Sequence, residues 1–195
     1  MKFVPLEIPG AFLIEPELHK DTRGYFVRIY DQHTMEKYGI AAEWMQESLS
    51  FSAVKGTLRG LHFQRPPHAE AKMVRVSQGE VFIVFVDLRR NSGFFGKTGS
   101  VVLSCDEPRL LYVPQGLALG MCTLTDHCSL YYKIDQIYSP ESQGIIRWDD
   151  PDLNIRWPLE REPVISERDA AAPSFREFVD SEGGLVLSFE RNAGT

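Results

Sequence analysis

The chain has 195 residues, 43% of them hydrophobic and 25% charged; this predicts one domain over residues 1–195 with a packed core and excludes global disorder. A net charge of −6 with a pI near 5.4 excludes non-specific binding to nucleic acid or to an anionic membrane surface, yet leaves room for a small phosphorylated ligand held by a local cluster of Arg and Lys. Twelve Phe, seven Tyr and three Trp suit a sheet-rich interior and stacking against planar or sugar ligands.

The opening MKFVPLEIPG lacks the apolar run of a signal peptide, and no stretch approaches the roughly 20 apolar residues of a membrane span. The expectation is a cytoplasmic protein. Residues 11–16 (AFLIEP) and 25–30 (YFVRIY) read as strands separated by a polar turn, HKDTRG, and 33–38 (HTMEKY) as one or two helical turns. Further strands are predicted near 43–50, 58–63, 71–76, 79–87, 98–104, 109–113, 119–125 and 128–134, with Gly, Pro, Asn, Asp or Ser between them. SQGE at 77–80 reads as a hairpin turn, and FIVFVDL is apolar enough for a strand buried on both faces. Many short strands at 8–12-residue spacing predict an all-β sandwich, barrel or jelly roll with a few short helices. Beyond residue 135 the chain is richer in Pro and charge, with one helix starting near Ser166. The tail from Gly183 reads as an edge strand or a frayed end. Cys105, Cys122 and Cys128 are few, odd in number and without CxxC spacing, so they predict neither a disulfide framework nor a zinc site.

Four stretches carry groups able to do chemistry. In LRGLHFQRPP (58–67), strand alternation puts His62 and Gln64 on one face, which inside a small barrel points His62 into the cavity; a hydrogen-bonded core histidine is the alternative. In AKMVRV (71–76), Lys72 lies on the face opposite Met73. An interior Lys needs an anion, and a solvated edge Lys is the commoner outcome. In SLYYKIDQIYSPE (129–141), Tyr132 and Tyr131 alternate, so one of them faces inwards, where packing is the usual role of a strand tyrosine. In ISERDAAAP (165–173), Ser166 and Asp169 have the form of a capping box; the alternative for Asp169 is to orient a histidine, as carboxylates do in hydrolase triads. The histidines are His19, His33, His62, His68 and His127, with no H-x-H pair, so no metal is expected.

Taken together these stretches resemble the dTDP-4-dehydrorhamnose 3,5-epimerase family. The carrying segments are DTRGYF (21–26), LRGLHFQ (58–64), KMVRVSQGEVFIVFVDLR (72–89), FGK (95–97), VPQGLALG (113–120), YYKIDQIYSPE (131–141), GIIRWDDPDLNIRWP (144–158) and ISERDAAAP (165–173). The resemblance runs in order from about residue 5 to residue 173. It implies a cupin-type jelly roll, a homodimer in which the neighbouring subunit supplies part of the ligand site, and epimerisation of a nucleotide-linked 4-keto sugar without a cofactor. It also implies roles for individual residues. His62 matches the base, Asp169 its charge partner, Tyr132 the acid on the opposite face of the sugar, and Lys72 the cation near the keto oxygen. Arg23, Phe26, Gln46, Arg59 and Tyr138 match positions that bind sugar, diphosphate or base.

The chemistry explains these residue types. A hydrogen next to a ketone leaves as a proton to give an enolate, which a His of near-neutral pKa can drive. A cation stabilises the enolate oxygen, and a second acid on the other face returns the proton with inversion. No Gly-rich dinucleotide motif is present.

The sequence also departs from the family. The segment P-x-G-F-A-H-G-F reads PQGLALGM, with Leu119 in place of His, and Q-D-N-H-S reads QESLS, with Ser48 for Asn and Leu49 for His. A more apolar wall at Leu119 deprives a sugar hydroxyl of a partner. That change points towards inversion at one carbon rather than two, or towards a sugar lacking a hydroxyl. The other readings are a CDP- or GDP-linked sugar, a non-catalytic nucleotide-sugar binder, and a metal-dependent oxygenase, against which the missing H-x-H weighs.

Overall fold

A computed structural model describes residues 1–40 and 43–187. Thirteen strands and three short helices follow one another along these residues. The strands are β1 (Lys2–Pro5), β2 (Phe12–Glu15), β3 (Leu18–Asp21), β4 (Gly24–Val27), β5 (Gln46–Ser52), β6 (Leu58–Gln64) and β7 (Lys72–Gln78), then β8 (Glu80–Asp87), β9 (Thr98–Ser104), β10 (Leu110–Val113), β11 (Leu117–Thr123), β12 (Cys128–Ile134) and β13 (Gln143–Ile145). Helix α1 (Gln32–Glu36) lies between β4 and β5, and α2 (Glu167–Ala170) and α3 (Phe175–Glu182) follow β13. No helix among the described residues is long and apolar enough to cross a membrane.

Two antiparallel sheets pack face to face. One has six strands in the order β1-β2-β10-β7-β12-β5, the other five in the order β13-β6-β11-β8-β9, and β3-β4 forms a separate hairpin. This is the predicted cupin-type β architecture. Its core follows from the two-residue period of a strand. Val74 and Val76 of β7 and Val81, Ile83 and Phe85 of β8 point between the sheets. The alternate residues of β8, Val84 and Val86, point outward into a second cluster with Leu61, Phe63, Ile146 and Phe178 of α3. FIVFVDL is thus buried on both faces, as its composition predicts. At about 1.5–3 kcal/mol per buried side chain, β8 is the strand least able to accept polar substitutions. Met73, on the outer side of the six-stranded sheet, packs with Ile14, Tyr112 and Met35 of α1.

Several expectations need correction. SQGE is not a hairpin turn: β7 pairs with β10 and β12, whereas β8 pairs with β9 and β11. Gly79, at φ +76, therefore turns the chain from one sheet into the other. The stretch HKDTRG is mostly strand; β3 covers Leu18–Asp21 and pairs with β4, because two solvated strands of a hairpin need no apolar alternation. The predicted strand over 25–30 is shorter, ending at Val27. Strands β1 and β13 were not expected. The helix near Ser166 exists, N-capped by Ser166, but is only four residues long. A second helix, α3, follows it, with a capping box between Ser174 and Glu177 and a left-handed C-cap at Gly183. The tail past Gly183 therefore begins as a helix cap, and Leu185 is buried in a bridge to Arg89. The rest of the tail reading falls on residues 188–195, outside the described residues.

Candidate active site

Between the sheets, at one end of the sandwich, lies an open cavity of about 750 Å³. Its walls are the inward positions of facing strands. Gln46, Ser48 and Ser50 come from β5, Lys72 and Val74 from β7, and Leu130, Tyr132 and Ile134 from β12; Arg59 and His62 of β6 face Leu119 and Met121 of β11 across the shared ladder. In a regular strand Arg59 and His62 would point to opposite faces. Here β6 carries one extra residue relative to β11: His62 is paired with Leu119, but Arg59 with Met121. That irregularity is centred on Gly60, where φ is +103 and a Cβ would meet the Leu119 carbonyl oxygen at 2.5 Å. A side chain does not fit there, so the bulge requires glycine.

The bulge also exposes the Gly60 amide. Its N–H donates to Asp169 Oδ2 at 3.1 Å, while Asp169 Oδ1 lies 2.8 Å from His62 Nε2. Burial pushes the Asp169 carboxyl up, but the hydrogen bond from His62, the histidine's charge and the Gly60 amide together outweigh it and hold the carboxyl below its ordinary range. An ionised carboxylate only accepts hydrogen bonds. It therefore fixes the proton on Nε2 and leaves Nδ1 with its lone pair, without a hydrogen-bond partner among the described residues. The Asp169 side chain does not close a capping box: Ser166 accepts from the Asp169 backbone N–H, while the Asp169 carboxylate turns to His62 and Gly60, the contacts that orienting a histidine requires.

Lys72 faces the cavity from the opposite sheet. It is buried, with 8% exposure, and its Nζ lies 2.7 Å from Glu70 Oε1 and 3.4 Å from the His62 carbonyl oxygen. The solvated reading of Lys72 is thereby overturned, and the anion that an interior ammonium needs is Glu70. Gln64, which shares the inner face of β6 with His62 as expected, donates to Glu70 Oε2 at 3.0 Å and accepts from Ser139 N–H at 2.6 Å. Tyr132 is the inward tyrosine of β12. Its hydroxyl has no hydrogen-bond partner among the described residues, whereas Tyr131, on the outer face, is bonded to Glu47. The cavity thus sets a histidine on one sheet against a free phenol and a cation on the other. A planar enolate held between them has a base on one side and an acid on the other. Among the described residues no three His, Cys, Asp or Glu side chains converge as a metal site requires.

Comparison with known proteins matches residues 5–177 to the family described as dTDP-4-dehydrorhamnose 3,5-epimerase. The chain belongs to this family. A dTDP-4-dehydrorhamnose 3,5-epimerase of Methanothermobacter thermautotrophicus is 42% identical over 178 residues, covering 90% of this chain and 95% of the relative. Among solved structures, an epimerase of Mycobacterium tuberculosis superposes with a TM-score of 0.90 at 39% identity, over 96% of this chain and 94% of that one. A 3'-monoepimerase of Streptomyces bikiniensis, solved with dTDP-quinovose, gives a TM-score of 0.85 at 31% identity, over 94% and 92%.

Of the residues singled out by resemblance to the dTDP-4-dehydrorhamnose 3,5-epimerase family, nine gather here: His62, Lys72, Tyr132, Gln46, Ser48, Arg59, Leu119 and Tyr138 line the cavity, with Asp169 behind His62. Gln46 accepts from the Tyr138 backbone N–H at 2.8 Å, and the Tyr138 hydroxyl donates to Gln143 at 2.7 Å. Arg23 and Phe26 are not brought in. They sit on the exposed β3-β4 hairpin, Arg23 paired with Asp21 at 2.6 Å and Phe26 63% exposed. Sequence reasoning missed Glu70 and left Gln64 without a role. Glu70 precedes the strand, since β7 begins at Lys72, so strand alternation carried no signal for it; the one cue was an acidic residue two positions from Lys72.

Proposed function

We propose that this protein is an isomerase that inverts carbon 3, carbon 5 or both of a dTDP-linked 4-keto-6-deoxyhexose, by proton removal and return through an enolate. The observation that carries the reading is His62 on one sheet, backed by Asp169 of α2, facing Tyr132 and Lys72 on the other. His62 Nδ1 takes the proton next to the ketone, and the buried Asp169 carboxylate stabilises the imidazolium that results. Lys72 meets the charge that develops on the keto oxygen. Tyr132 delivers a proton from the opposite face, which inverts the carbon. Its hydroxyl is available because no group among the described residues holds it. On this reading Arg59, exposed in the cavity wall, meets the diphosphate; its guanidinium donates to the Phe51 carbonyl at 3.1 Å. Within this reading, inversion at a single carbon is favoured by Leu119, whose side chain stands beside His62 where a hydroxyl would find no partner.

A homodimer is part of the same proposal. Leu49 (65% exposed) and Phe51 (52%) lie on the outer side of β5, the edge strand of the six-stranded sheet, and an exposed apolar edge favours burial against another chain. A second copy there gives the β3-β4 hairpin, with Arg23 and Phe26, a pocket to complete. Cytoplasmic residence fits the free thiols of Cys105, Cys122 and Cys128.

The test is NMR of the product formed from dTDP-4-keto-6-deoxyglucose. Inversion at carbon 3, carbon 5 or both is expected, and the number inverted tells whether Leu119 confines the reaction to one carbon. Substrate returned unchanged by folded protein would overturn the proposal.

A further inference from the structure

Lys72 is held in the cavity by one carboxylate, and that carboxylate is itself held. The side chains of Lys72 and Glu70 are 11% and 8% exposed, with Nζ 2.7 Å from Oε1. The other oxygen, Oε2, takes the Gln64 amide at 3.0 Å, and Gln64 is anchored in turn by the His68 carbonyl at 2.9 Å and the Ser139 N–H at 2.6 Å. A buried ammonium without a counter-charge sheds its proton, and a neutral amine does not stabilise an enolate oxygen. The other ionisable groups around the cavity are Glu47, Arg59, His62, Tyr132 and Tyr138, together with Asp135, whose carboxyl feels the charge of Glu70 through space. Glu47 is taken up by Lys133 at 2.7 Å and Asp135 by the Ala71 N–H at 2.6 Å and Gln115 at 3.0 Å. Among the described residues, Glu70 is the only anion within ion-pair distance of Lys72.

We propose that Glu70 is a positioning residue, fixing the Lys72 ammonium at the place where the keto oxygen develops charge and keeping it a cation, with Gln64 as its support. Its catalytic consequence rests on the epimerase reading, whereas its hold on Lys72 does not. Both Glu70 oxygens are already engaged, one by Lys72 and one by Gln64, and the carboxylate acts through Lys72.

Two readouts test it. The first needs no substrate: reductive methylation of the purified protein with ¹³C-formaldehyde, followed residue by residue by mass spectrometry. Glu70→Gln is expected to raise the methylation rate of Lys72 about tenfold, because the free amine is the nucleophile and has lost its fixed counter-charge, while Lys55 and Lys97 are unchanged. An unchanged Lys72 rate overturns the proposal. Should Glu70→Gln fail to fold, Glu70→Asp carries the same test: it keeps the charge but draws it back by one methylene, and should raise the rate by a smaller factor, with no rise counting against the proposal. The second readout is solvent-proton exchange on the keto sugar. Glu70→Gln is expected to lower kcat about tenfold or more with KM nearly unchanged, and to cost nothing further in a Lys72→Met background, where a merely structural loss would still add. Wild-type protein that exchanges no proton would sink the epimerase reading, and the methylation result would still decide the role of Glu70.

Discussion

His62 owes its basic nitrogen to a carboxylate 107 residues further along the chain. Asp169→Asn keeps the shape but can present an amide N–H to Nε2, which favours the wrong tautomer, so proton exchange should fall by about 10²–10⁴-fold while dTDP affinity, measured by calorimetry, changes little. Leu119→His restores a polar group beside His62 and is expected to broaden the reaction towards inversion at both carbons, read from product NMR; an unchanged product ratio would make position 119 a packing position. The residues of this site differ in how far sequence shows them. Period-two alternation put His62 on one face with Gln64 and required one of Tyr131 and Tyr132 to face inward; only the family resemblance singled out Tyr132. Alternation could not choose between a cap and a histidine partner for Asp169, because that choice depends on where α2 docks on β6. Lys72 looked solvent-facing because its counter-charge, Glu70, becomes meaningful only once both are seen buried.

At the level of the element, the bulge in β6 is what puts Arg59 and His62 on one cavity. Gly60→Ala drives a Cβ into the Leu119 carbonyl at 2.5 Å and the Gly120 Cα at 2.8 Å, and also requires a positive φ. It is expected to destabilise the fold by about 3 kcal/mol, seen in urea melts, and to reduce exchange even where the protein remains folded. The α3 capping box behaves differently, lying far from the cavity. Ser174→Ala should cost about 1 kcal/mol with no effect on exchange. Strands β7, β8, β9 and β12 were legible because their alternating or continuous apolar residues feed a buried face. Strand β3 was not, and with it the β3-β4 hairpin, because it is largely exposed and carries no apolar pattern. Likewise, SQGE has hairpin composition, but the packing of two sheets, not the turn residues, decides that the chain crosses between them.

For the whole molecule, pH and assembly are the accessible variables. Asp87 is fully buried; burial pushes its carboxyl up, but the hydrogen bonds from Arg89 and Ser92 outweigh this and hold it low. Its folded value lies below the ordinary value of 3.8. It therefore contributes stability that is fully present above that value and is lost as pH falls through the lower folded one. Asp169 acts in the same direction. Melting curves should thus be flat towards neutral pH on this account and fall below about pH 4, with Asp87→Asn less stable at neutral pH but flatter in acid. In solution the mass should be twice that of the 22.2 kDa chain; a monomer that still turns over would remove the partner hairpin from the site. The central claim is that His62 removes a proton next to a ketone, and the most direct measurement is deuterium uptake by dTDP-4-keto-6-deoxyglucose in heavy water, counted by mass spectrometry for wild type and His62→Ala side by side. The account predicts one or two deuterons with wild type and none with the variant, whose dTDP affinity is retained. Equal uptake by both proteins, or none by folded wild type, would contradict it.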